Sequence, residues 1–99
     1  MQFSQNINNN KATINLEGEI DLEKTDELRE QAMQCLDNNQ ELEFGMSKVE
    51  YIDSSTVSVM IELHQKAEED SKLFTINNPS EQVSSVLKMA KLFDFFKIT

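Results

Sequence analysis

Asp53-Ser54-Ser55-Thr56 sets one carboxylate and three hydroxyls in consecutive positions, where the strand-like run Val49 to Ile52 gives way to a helix-like one. The first N–H groups of a helix lack intrahelical partners and point at any oxygen that approaches. Ser54 and Ser55 therefore read either as caps or as acceptors of a phosphoryl group. Hydrolytic chemistry has no support: a serine nucleophile needs a general base, and the lone His64 falls nine residues after Ser55, over two helical turns on. Glu68 and Glu69 point to different helix faces, so they form no carboxylate dyad. The chain has only two glycines, too few for a phosphate-cradling loop.

Metal and thiol chemistry are equally thin. Cys35 is the only cysteine, which rules out an internal disulfide and a cysteine-rich zinc site. Its helical spacing from Leu28 and Ala32 makes it a small core residue. His64 has no second histidine or nearby cysteine and reads as a surface or boundary residue.

The composition bounds the rest. Ninety-nine residues, 38% of them hydrophobic, suit one domain spanning residues 1–99 around a single core. The net charge of −9, from eighteen acids against nine bases, repels nucleic acid phosphates and anionic lipid head groups. No apolar run approaches the ~20 residues that cross a bilayer, and Met1 to Gln5 lacks the basic start of a secretion signal. The expectation is a cytoplasmic protein that binds no nucleic acid and does not insert into membranes.

The elements that must position the serine cluster follow from periodicity. Met1 to Asn8 and Ala12 to Leu16 read as two strands joined by an asparagine turn, the second ending at Gly18-Glu19-Ile20-Asp21. After a short connection, Leu28, Ala32, Cys35 and Leu36 mark an amphipathic helix, with Thr25 as its cap, stopped by Asp37-Asn38-Asn39. Leu42, Phe44 and Met46 alternate as a strand, and Val49 to Ile52 lead to the cluster. A second helix carries Val57, Met60, Ile61, His64 and Ala67. Leu73 to Ile76 form a short strand ended by Asn77-Asn78-Pro79. Ser80 caps a third helix with Val83, Val86, Leu87 and Ala90 on one face. Phe93, Phe95, Phe96 and Ile98 form an apolar tail that must dock on the sheet, and Met46, Met60 and Met89 fall on predicted inward faces. Alternating strands and helices imply an α/β domain whose sheet is parallel after its first hairpin, with functional groups at strand carboxyl ends. Gly18 to Asp21 and Asp53 to Thr56 both occupy such ends, although spacing alone does not make them neighbours.

Three segments in order, Gly18-Glu19-Ile20-Asp21 with Thr25 to Gln31, Val49 to Thr56, and Pro79-Ser80 through Leu92-Phe93, resemble the STAS domains, and among them the bacterial anti-sigma factor antagonists. The resemblance implies a STAS-like α/β fold: a small mixed, mostly parallel sheet with helices packed mainly on one face. In such antagonists the second serine of an Asp-Ser-Ser-Gly motif is phosphorylated by an anti-sigma factor that is itself a serine kinase, and a serine phosphatase resets the cycle. Carried over, the phosphoacceptor is Ser55. Glu19, Asp21, Asp53, Ser54, Thr56, Val57 and Met60 become the partner-binding residues. No cofactor is implied, because the kinase brings ATP and magnesium. Two positions depart from the pattern. Thr56 replaces the motif glycine and is a possible competing acceptor; Gly45 stands where many members carry Asp or Asn, near the presumed site. The alternative is a non-cycling STAS subunit that binds the ATPase of a bacterial lipid transporter. A weaker third option is a small-molecule sensor, for which the chain offers neither glycine loop nor basic pocket.

Overall fold

Asn9, at φ 57°, takes the left-handed backbone that asparagine tolerates and turns the first strand back on the second. The computed structural model describes residues 3–38 and 40–99; the expected roles of Met1 and Gln2 in the first strand and of Asn39 as a helix stop lie outside them. Strands β1 (Phe3–Asn8) and β2 (Lys11–Ile20) pair antiparallel, and helix α1 (Leu22–Asp37) leads to β3 (Glu41–Ile52). Helix α2 (Ser54–Glu69), β4 (Phe74–Asn77), α3 (Glu81–Met89) and β5 (Lys97–Ile98) complete the order. The five strands lie in the order β1-β2-β3-β4-β5, with every pair after the first parallel, as helical crossovers require.

Period-two alternation decides which face of the sheet is covered. Ala12, Ile14 and Leu16 of β2, and Leu42, Phe44 and Met46 of β3, are buried beneath the helices. The intervening Lys11 and Asn15 are exposed on the other face, where Lys11 pairs with Glu43, itself 9% exposed. Phe44 and Phe74 meet edge to face at 5.0 Å under this layer. Cys35 is buried, as its spacing predicts.

The phenylalanine tail divides. Phe96 is buried against Phe74 at 6.2 Å, while Phe95 stays 42% exposed and packs on His64 at 4.5 Å. The residues after them add β5 beside β4, a strand that two residues are too few to announce. Three further expectations are corrected. Met89 is 85% exposed, because the buried face of α3 runs through Val83 and Leu87 and two residues further on the helix has turned outward. On α2 the buried face is broader than expected and includes Val59 and Leu63, because this helix packs on α1 as well as on the sheet. Gly45 is not near the serine cluster: it lies about 23 Å of extended chain before Ile52, on the face opposite the helices, paired with Asn15. A Cβ there would collide with Asn15 Oδ1.

Candidate functional site at the carboxyl ends of β2 and β3

Ile20 and Ile52 are register partners at the ends of two parallel strands, so the next residues, Asp21 and Asp53, leave the sheet side by side, about 4.8 Å apart in strand spacing. Both then cap helices with nearly the same extended backbone, φ −106° and ψ −175° at Asp21, φ −117° and ψ −174° at Asp53. This corrects two expectations. Thr25 is not the cap of α1; it sits a turn inside, buried, and its hydroxyl donates to Leu22 O at 2.9 Å. Ser54 does not cap α2, because the carboxylate before it already takes the first-turn donors.

Register also brings the two segments together. β3 carries two more residues than β2 between the pairs Asn15↔Gly45 and Ile20↔Ile52, with register shifts after Asn15 and after Gly18. Gly18, at φ 78°, supplies the left-handed backbone at the second shift. Met46, Val49 and Ile52 therefore all turn inward despite their spacing of three. On the far side of β3, Gln82 of α3 accepts the Ile52 N–H through Oε1 at 3.0 Å, an anchor that nothing in the sequence pattern singled out.

One oxygen organises the start of α2. Asp53 Oδ1 accepts from the Ser55 hydroxyl at 2.5 Å, the Ser55 N–H at 3.1 Å and the Thr56 N–H at 3.2 Å. Thr56 Oγ1 lies 3.3 Å from the same oxygen, but its shorter bond, 2.6 Å, runs to Ile20 O at the end of β2. The Ser55 hydroxyl bond, above all, holds the Asp53 carboxyl below its ordinary range; burial opposes this, and the bonds from Thr56 and the Ser55 amide add to it. Asp53 is thus a carboxylate at neutral pH.

The structure gathers Glu19, Asp21, Asp53, Ser54 and Ser55 at one end of the sheet. Ser54 and Glu19 are exposed, while Asp21, Asp53 and Ser55 are half-buried. Thr56 and Met60 are fully buried and Val57 is 8% exposed, because positions i, i+1 and i+4 of α2 face the core. They support the surface from within, and the Thr56 hydroxyl is out of reach as a competing acceptor. Two exposed residues at the same end were not expected there: Leu22, 70% exposed at the first position of α1, and Tyr51, 45% exposed and paired with Glu19. Tyr51 was legible as the outward partner of Ile52, whereas Leu22 breaks the apolar pattern of its helix and gave no signal.

Other chemistry lies elsewhere. His64 is about 13 Å further along α2 than Ser55 and pairs with Glu68. Among the described residues, no three His, Cys, Asp or Glu side chains converge as metal ligands would, and no helix is long and apolar enough to cross a membrane. A cavity of about 320 Å³ lies on the open sheet face between Ser4, Asn15, Glu17 and Lys48, away from Ser55.

A family model described as "Mlab, STAS domain" matches residues 3–97. Among solved structures, a putative anti-sigma factor antagonist from Thermotoga maritima is similar over 97% of this chain and 84% of its own, at 22% identity and a TM-score of 0.87. The unphosphorylated anti-sigma factor antagonist SpoIIAA is similar over 98% of this chain and 87% of its own, at 18% identity and a TM-score of 0.85. SpoIIAA of Bacillus in its phosphorylated form is similar over 98% and 90%, at 17% identity and a TM-score of 0.79. At these identities the structures establish a shared fold.

Proposed function

The chain belongs to the STAS domain family, and from that premise we propose that it is an anti-sigma factor antagonist: a binding module for an anti-sigma factor serine kinase, gated by phosphorylation of Ser55. The observation that supports this most is the division of labour among the hydroxyls. Thr56 is sealed inside, Ser54 makes no bond with Asp53, and Ser55 alone is both at the surface and held by the capping carboxylate. Phosphorylation replaces a neutral hydroxyl with about −1.5 to −2 charges. Set beside Asp53, at the end of the sheet that also carries Asp21, that charge repels any partner shaped for the unmodified face. A serine phosphatase resets the switch.

A second reading, a non-cycling subunit that holds the ATPase of a bacterial lipid transporter, draws on two observations. The matching family model is described as Mlab, and Thr56 departs from the glycine of the antagonist motif. Intact mass of the protein from its native cell separates the two. A fraction heavier by one phosphate, abolished by Ser55→Ala, is expected for the switch. Its absence under every growth condition, with equal partner capture by wild type and Ser55→Asp, favours the constitutive subunit.

A further inference from the structure

The Ser55 hydroxyl and the Asp53 carboxylate form one unit, and modification of the first must disturb the second. Ser55 Oγ gives its only proton to Asp53 Oδ1 in the shortest of the contacts that this oxygen receives, 2.5 Å against 3.1, 3.2 and 3.3 Å for the others. In the kinase reaction, Ser55 Oγ bonds to the γ-phosphorus of a nucleoside triphosphate. The bond from that phosphorus to the bridging oxygen breaks, the nucleoside diphosphate leaves with the electron pair, and the hydroxyl proton passes to solvent. The donor that held Asp53 is then gone, and a dianion stands in its place.

We propose that phosphorylation of Ser55 ejects the Asp53 carboxylate from the start of α2, so that the modified surface gains the freed carboxylate as well as the phosphate. This inference rests on the reading of Ser55 as phosphoacceptor. Two like charges at hydrogen-bond distance repel strongly at a half-buried site. Asp53 has room to yield: it is half-buried at the rim, and among the described residues its side-chain hydrogen bonds come only from Ser55 and Thr56. Asp21, its neighbour across the Ile20↔Ile52 pair, offers no compensating charge.

The helix does not unravel, because its second fastening is independent of the Asp53 side chain. Thr56 Oγ1 holds Ile20 O at 2.6 Å inside the core, and Thr56 and Val57 N–H also reach Asp53 O of the backbone at 3.1 and 3.2 Å. Thr56 thereby acquires a role at the position where the antagonist motif has glycine: it keeps the backbone fixed while the capping side chain leaves. The modified and unmodified forms would then differ in charge distribution and side-chain position, with the fold unchanged.

The test needs no kinase. Phosphoserine is installed at position 55 during translation, and urea unfolding compares Asp53 with Asp53→Ala in the modified and unmodified proteins. In the unmodified protein the substitution is expected to lower the folding equilibrium constant roughly fivefold, as removal of a cap does. In the phosphoprotein the loss falls below about twofold, or reverses, since the carboxylate no longer caps. Carboxyl carbon NMR on the unsubstituted proteins gives a second readout: Asp53 titrates below the ordinary aspartate range when Ser55 is free, and at or above it when Ser55 is phosphorylated. Equal Asp53→Ala penalties in both forms, an Asp53 that still titrates low beside phosphoserine, or a phosphoprotein that fails to fold each overturns the proposal. None of these outcomes depends on whether cells phosphorylate Ser55, so the switch in vivo and the ejection of Asp53 stand or fall separately.

Discussion

Thr56 Oγ1 donates to Ile20 O across 2.6 Å, fastening the first turn of α2 to the last residue of β2 in a fully buried position. The bond spans 36 residues of sequence and makes two chain segments into one surface. Thr56→Val keeps the shape and removes the donor, leaving Ile20 O buried without that partner. A loss of about 1–3 kcal/mol in urea unfolding is expected, with Thr56→Ser losing less because its hydroxyl remains. If valine and threonine proved equally stable, the fastening would have no energetic weight.

Acid should weaken the protein partly through Asp53. Its carboxyl is held below the ordinary value, so the folded state binds its proton less readily than the unfolded chain. The stabilisation is therefore complete above the unfolded value, about 3.9, and fades as pH falls through the lower folded value. Asp53→Asn keeps a capping oxygen but cannot titrate. Its stability profile should fall less steeply below about pH 4 than that of wild type, and parallel profiles would remove Asp53 from the account.

The carboxyl-terminal segment offers a comparison within one tail. Phe96, 4% exposed, touches Phe74, His64 and Phe95, whereas Phe95 is 42% exposed. Phe96→Ala is expected to cost about 3–5 kcal/mol, within the usual range for a buried ring, and to release β5 from β4. Phe95→Ala should cost well under half as much. Thermal unfolding gives the ranking, and amide exchange at Ile98 and Thr99 shows whether the strand has detached.

These particulars show where sequence reasoning reached and where it stopped. The order of strands and helices was legible because Leu28 to Leu36 and Ala12 to Leu16 keep clean periods of about 3.6 and 2. The caps were displaced because Thr25 and Ser54 are good capping types, yet Asp21 and Asp53 precede them, and the first turn of α1 begins with the exposed Leu22. β3 read as two pieces because its bulges reset the alternation between Met46 and Ile52, a fact that lies in the pairing with β2 and not in β3 itself. That same pairing, invisible in spacing, made neighbours of Asp21 and Asp53. At Met60 the helical period already pointed inward, as the structure has it, while the family resemblance set Met60 and Thr56 among the partner-binding residues. Both are fully buried, and nothing in the polar run Asp53 to Thr56 shows which hydroxyl the helical turn sends inward.

Gly45 allows the open sheet face to be probed without touching the serine site. Glycine inside a strand costs about 0.5–1 kcal/mol relative to alanine, which should make Gly45→Ala stabilising. The added Cβ would instead meet Asn15 Oδ1, the mobile end of an exposed side chain, which must rotate away. The two effects should nearly cancel, leaving Gly45→Ala within about 0.5 kcal/mol of wild type. In an Asn15→Ala background the obstacle is gone, and the full gain of about 0.5–1 kcal/mol should appear. A double-mutant cycle by urea unfolding measures that coupling. Equal effects of Gly45→Ala in both backgrounds would show that Asn15 does not constrain the glycine, and that another feature of the β2 and β3 pairing does.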